Sequence, residues 1–201
     1  MASSGSPTTQ ARILVCAESL FGERGYDAVT VADIARACDV STALIYYHFA
    51  DKESLLRSLI ERSSRVFDEP IRAALGHQGE PRERIELFIA AWIEAVHANA
   101  SLVRILLRPL TDPAGPLAGE LLAHISATID ALAATIAEGV ARGDFAEETD
   151  PWLAAECLYG LVNTRVTAGA LDVPYEERTT SDVASVTSFV TRVFLQGIAR
   201  C

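Results

Sequence analysis

Apolar residues return along this chain every three or four positions, from Ile13 to Phe194, with polar residues between them. That spacing belongs to helices that lay one face on a core. No segment shows the two-residue alternation of β-branched and aromatic residues, bounded by turn signals, that a strand needs. The expected fold class is therefore all-α, with about nine helices.

Capping residues and breakers place the helix ends. A first helix follows Pro7 and Thr8, puts Ile13, Ala17, Leu20 and Phe21 on one face and closes at Gly25. Thr30 caps a short second helix, with Asp33 at capping-box spacing and Val31, Ile34, Ala35 and Cys38 as its buried stripe. Asp39 and Val40 lead to Ser41, the cap of a third short helix. Asp51 caps a fourth, carrying Leu55, Leu56, Leu59, Ile60 and Phe67 to about Leu75. The link GHQGEP comes next and marks the expected boundary: residues 1–52 form one helical domain, residues 76–201 a second, and the fourth helix, 51–75, joins them. Beyond the link, helices are expected from Pro81 to about Ala98 and over 101–110. A long one follows over 116–142, with Leu121, Leu122, Ile125, Ile129, Leu132, Ile136 and Val140 inward and Gly143 as its stop. Asp150 ahead of Pro151 opens a helix to about Ala170, and Thr180 or Ser181 opens the last, to about Ala199.

Composition narrows what such a bundle can do. The 17 basic and 27 acidic residues leave a net charge of −10, which excludes a broad electrostatic grip on nucleic acid. Even within residues 1–52, Arg12, Arg24, Arg36 and Lys52 face six acids. No run approaches the ~20 uninterrupted apolar residues of a membrane span, and the first residues lack the features of a signal peptide, so a cytoplasmic protein without a membrane partner is expected. The four cysteines, Cys16, Cys38, Cys157 and Cys201, form no CxxC pair, so neither a zinc site nor a disulfide framework is indicated, and Cys16 and Cys38 read as small buried hydrophobes. There is no nucleophile elbow, phosphate loop, HExxH or paired-carboxylate arrangement, and His48, His77, His97 and His124 have no ligand spacing. Neither an enzyme nor a cofactor is expected.

The segment Thr30 to Leu56, TVADIARACDVSTALIYYHFADKESLL, joins several separated features: a Thr before the second helix, an Ile-Ala pair, a tight turn, a Tyr-x-His-Phe run and Lys-Glu-x-Leu-Leu. Together with the GERGYDAV exit of helix one, it resembles the helix-turn-helix of the tetracycline-repressor family. The resemblance covers about the first quarter of the chain. It implies a homodimeric transcriptional regulator, a repressor released from a double-stranded DNA operator by a small molecule. The family's turn glycine is replaced by Asp39, which tolerates a left-handed backbone better than most residues.

The residues themselves support that implication. Ile45 and Phe49, four apart, would hold the third helix on its core and turn Thr42, Ala43, Tyr46, Tyr47 and His48 outward, as a helix reading the major groove requires. Ser41 caps that helix. Lys52, the single lysine, sits in the first turn of a helix, where the macrodipole disfavours a cation unless an anion such as a phosphate is near. Thr30 is a cap and a candidate phosphate donor. In the second domain, Trp92, Val96, Leu106, Leu107, Leu121, Ile125 and Tyr159 are candidate cavity lining, with His97, Asn163 and Arg165 as interrupting polar groups. Arg165 suggests an effector that is largely apolar and carries an acid. Each of these residues has core packing or an interface contact as its competing role. On the last helix, Val186, Phe189, Val190, Val193 and Phe194 form one apolar face, and the resemblance implies that it packs against a second copy. The alternatives are a helical adaptor that does not bind DNA and a cysteine-based redox sensor, the latter requiring exposed thiols.

Overall fold

A computed structural model describes residues 8–111, 118–170 and 182–199, without the side chains of 64, 107–111, 118, 120 and 165–170. The described residues form nine helices: α1 Thr9–Arg24, α2 Val31–Cys38, α3 Thr42–His48, α4 Lys52–Leu75, α5 Pro81–Ala98, α6 Ala100–Thr111, α7 Ala118–Arg142, α8 Pro151–Ala170 and α9 Val183–Ile198. The fold is all-α, as the periodicity requires, with one isolated bridge between Phe145 and Ala199.

The capping chemistry accounts for the N-terminal boundaries. Thr8 Oγ1 accepts from Ala11 N, and Gly25 ends α1 at φ 80°. Thr30 and Asp33 exchange both bonds of a capping box on α2, and Asp51 and Ser54 do the same on α4. Asp39 adopts φ 55°, ψ 52°, the left-handed conformation expected of the residue in the glycine's place. Two boundary details differ from expectation. Asp182, rather than Thr180 or Ser181, caps α9, because its carboxylate accepts from Ser185 N. Leu122 is exposed, since the inward stripe of α7 runs through Leu121, Leu132 and Ile136.

One apolar core joins the two expected domains. It runs from Ile13 and Ile34 through Leu55, Leu59 and Phe67 to Phe88, Ile136 and Phe194. Helix α4 packs on α1 at one end and on α5 and α7 further along, while α6 lies across α1, where Gly22 meets Ser101. A Cβ on Gly22 would stand 3.2 Å from the Ser101 Cβ, so this close approach suits glycine. By length and hydropathy alone, Leu121–Arg142 could cross a bilayer; it packs against α8, with Leu132 and Ile136 fully buried.

The reading of Cys16 and Cys38 as unbridged is corrected. They are joined by a disulfide, with Cα atoms 5.9 Å apart, which ties the middle of α1 to the end of α2. A sequence separation of 22 carries no motif; the packing of α1 on α2 brings the pair together.

Candidate functional site

Helix α3 is held from beneath and open above. Ile45 and Phe49 are buried against the core, whereas Tyr47 is 82% and Tyr46 56% exposed, and Thr42 and Ala43 are exposed beside them. Ser41 Oγ caps the helix by accepting from Leu44 N at 3.1 Å. His48 is half-buried, its ring 5.1 Å from that of Tyr47. The turn before α3 is braced by Arg12, which donates to the Cys38 carbonyl at 3.1 Å.

Two neighbouring groups are engaged more fully than sequence indicates. Lys52 Nζ donates to the carbonyls of Tyr26 at 2.9 Å and Val29 at 3.1 Å, and sits 4.2 Å above the Tyr26 ring. These carbonyls, with the ring, offset the helix dipole, so an anion is not required to explain a lysine here. One of its three N–H donors remains beyond those two carbonyls. The Thr30 hydroxyl donates to Asp33 Oδ2 at 2.5 Å while accepting from Asp33 N at 3.1 Å. The Thr30 hydroxyl and the Thr30 backbone N–H, both donating to Asp33 Oδ2, together with the Arg36 ion pair hold the Asp33 carboxyl below the usual carboxylate range.

A cavity of about 90 Å³ lies between α4, α5, α6, α7 and α8. It gathers seven of the ten expected lining residues, Trp92, Val96, Leu106, Leu121, Ile125, Tyr159 and Asn163. His97 is corrected: it is exposed, off the cavity face of α5. The side chains of Leu107 and Arg165 lie outside the described residues. Sequence reasoning missed Ile60, Ser63, Phe67 and Asp68 of α4, together with Val103, His124 and Thr128. The available signal was Ser63 and Asp68 beside the apolar stripe of a helix read only as a connection.

The polar groups of the cavity are few and specific. His124 Nδ1 stands 3.2 Å from Asp68 Oδ2, linking α7 to α4. Burial pushes the Tyr159 phenol up to about 12, against a hydrogen bond with Asn163 and with help from the Asp68 charge, so the phenol stays neutral. Its ring lies 5.3 Å from Trp92.

Phe189 (57%) and Val193 (43%) of α9 are exposed, as are Leu153 and Leu161 of α8. The remaining α9 expectations are corrected: Val190 and Phe194 are buried in the chain's own core and Val186 is half-buried, because the apolar residues of α9 divide between two faces.

The pattern described as "Bacterial regulatory proteins, tetR family" matches residues 13–59, and "Tetracyclin repressor-like, C-terminal domain" matches 78–167. The chain belongs to the tetracycline-repressor family. Family members similar to it include the HTH-type transcriptional regulator BetI of Brucella anthropi, 34% identical over 42% of this chain and 43% of that protein. The HTH-type transcriptional repressor KstR2 of Rhodococcus jostii is 32% identical over 51% and 50%. The matched stretch thus spans about half the length of these curated relatives. Among solved structures, the family regulator PfmR from Thermus thermophilus superposes with TM-score 0.77 at 25% identity, over 94% of this chain and all of that one. The family fold, a helix-turn-helix followed by a helical domain, is the fold of this chain.

Proposed function

We propose that this chain is a homodimeric transcriptional repressor that binds an operator through α3 and leaves it when a small molecule enters the α4–α8 cavity. The observation that carries this reading is α4, which starts beside the recognition helix at Lys52 and walls the cavity at Ile60, Ser63, Phe67 and Asp68. A ligand larger than the cavity must displace that wall, and with it the helix-turn-helix. Residues 1–52 are the DNA-reading unit and 76–201 the sensing and dimerising unit, with α4 shared. Thr42, Ala43, Tyr46 and Tyr47 face base edges, supported by Ser41 and His48. Lys52 gives its remaining N–H to a phosphate, and Thr30 can do so only by releasing Asp33.

The exposed apolar stripe of α8 and α9 is the dimer face, since two half-sites give the specificity that one helix cannot. Such a protein catalyses no reaction and works in the cytoplasm, where the chromosome is. Selection of bound duplexes from a random pool tests the reading. A two-fold-symmetric consensus is expected, and failure to retain any duplex overturns it.

A further inference from the structure

The cavity carries two polar features, an unpartnered donor and a carboxylate, and together they describe what it accepts. Trp92 is 8% exposed, and its Nε1 has no hydrogen-bond partner among the described residues. An indole N–H sealed from water without an acceptor is costly, and such groups are few in native structures. The second feature is the Asp68 carboxylate of α4, which lines the same cavity. The described lining contains no Arg or Lys; its only basic group is His124, already against Asp68 at 3.2 Å. The rest is aliphatic or aromatic, apart from the hydroxyls of Ser63, Thr128 and Tyr159 and the amide of Asn163. Ser63 and Thr128 donate to backbone carbonyls of their own helices, Ile60 and His124. The Asn163 amide donates to the Tyr159 carbonyl in the same way.

We propose that the effector is an apolar molecule presenting a neutral carbonyl, of the ketone or ester class, which accepts from Trp92 Nε1, and that Asp68 rejects the corresponding free acid. This rests on the cavity being the effector site, as proposed above, and it reverses the acidic ligand that Arg165 suggests from sequence. A half-buried carboxylate in the same cavity opposes an incoming one by like charge, and the incoming acid must also shed its water, whereas a ketone of the same shape meets neither penalty. Tyr159, neutral through physiological pH, supplies a polar neighbour without a charge. The volume, about 90 Å³, is below the roughly 150 Å³ of a cavity that takes benzene, so a short or branched alkyl group fits the closed form and a longer one spreads its walls.

Matched pairs differing only in the end group test this: 2-pentanone against butyrate, and 2-heptanone against hexanoate. Binding to the full-length chain is followed by calorimetry and, in a Trp152→Phe background that leaves Trp92 as the sole indole, by fluorescence. In each pair the ketone is expected to bind at least about tenfold more tightly than the acid at neutral pH. Asp68→Asn should improve the acid at least about fivefold and leave the ketone unchanged, while Trp92→Phe should weaken the ketone about tenfold. Variants are compared by helical circular dichroism and thermal melting, and Trp92→Tyr serves if Trp92→Phe does not fold. An acid that binds as tightly as its ketone, or an Asp68→Asn chain with unaltered discrimination, overturns the proposed ligand class while leaving the effector cavity standing. Absence of saturable binding by every probe up to about 1 mM overturns the effector cavity itself.

Discussion

Lys52 and Tyr26 are joined twice, through a hydrogen bond from Nζ to the Tyr26 carbonyl at 2.9 Å and through the ammonium lying 4.2 Å above the Tyr26 ring. With the bond to the Val29 carbonyl, this makes Lys52 a clasp between the start of α4 and the loop ahead of α2. Replacing it with Met should therefore cost about 1–2 kcal/mol of stability without any DNA present, because two carbonyls lose a charged donor. In operator titrations it should also reduce the slope of log affinity against log salt by about one per DNA-bound subunit. Urea denaturation and salt-dependent gel shifts separate the two effects. Wild-type stability would remove the clasp, and a wild-type salt slope would remove the phosphate contact.

Tyr46, Tyr47 and Thr42 stand on the open face of α3 and do not support the core. Thr42→Ala and Tyr46→Phe should leave the melting temperature nearly unchanged, and each should alter preference among duplexes by about 1–3 kcal/mol where the hydroxyl it removes meets a base edge. Ile45→Ala, by contrast, should unfold or loosen the domain at a cost of about 2–5 kcal/mol, since that side chain is fully buried. Duplex selection with each variant, beside its thermal melt, checks both expectations.

The division of α9 between an exposed and a buried face makes two classes of substitution distinguishable. Phe189→Glu with Val193→Glu should give folded monomers that no longer retain operator DNA. Phe194→Glu should instead destabilise the chain itself, because it places a carboxylate in the protomer's core. Sedimentation velocity and circular dichroism decide. A dimeric double variant would move the interface elsewhere.

The Tyr159 phenol, held up to about 12 chiefly by burial, gives a pH dependence of definite sign. In the unfolded chain it ionises near 10, so above that pH the folded form retains the proton the unfolded form has lost. The stability it supports is complete below pH 10 and declines as pH rises towards 12. Ultraviolet titration should show a late phenol that is absent in Tyr159→Phe.

The Cys16–Cys38 bridge predicts a thiol count. The denatured, unreduced protein should show two reactive thiols per chain, and four after reduction. Reduction should lower the melting temperature by several degrees, because closing a loop of this length contributes about 3 kcal/mol. Four thiols before reduction, in protein purified in air, would show that the pair stays open.

Sequence and structure agree most closely where the deciding interaction is local. The Thr30–Asp33 box, the left-handed Asp39, the Ile45 and Phe49 anchors and the Asp150 cap involve residues within four positions of one another, so spacing reveals them. Cavity residues on α5 and α8 are also legible, because a polar group in an apolar helix is conspicuous there. The clasp of Lys52, the pairing of Cys16 with Cys38 and the Asp68–His124 contact join positions at least 22 apart, and nothing in the spacing reports which helices meet. The two faces of α9 are hidden for a related reason. An apolar residue bound for the core and one bound for a partner look alike until the core is built, so Val190 and Phe189 fall into one group by sequence.

Helix α4 reaches from the recognition helix to the cavity wall, and for a repressor working as proposed this has a quantitative consequence. Coupling through a shared element is reciprocal: whatever factor the effector takes from operator affinity, the operator takes from effector affinity. A dimer resting on a strong operator then responds only at a higher effector concentration than one on a weak operator. One regulator would thereby set different thresholds at different promoters, and the ordering of genes by dose would be written in the DNA rather than in the protein.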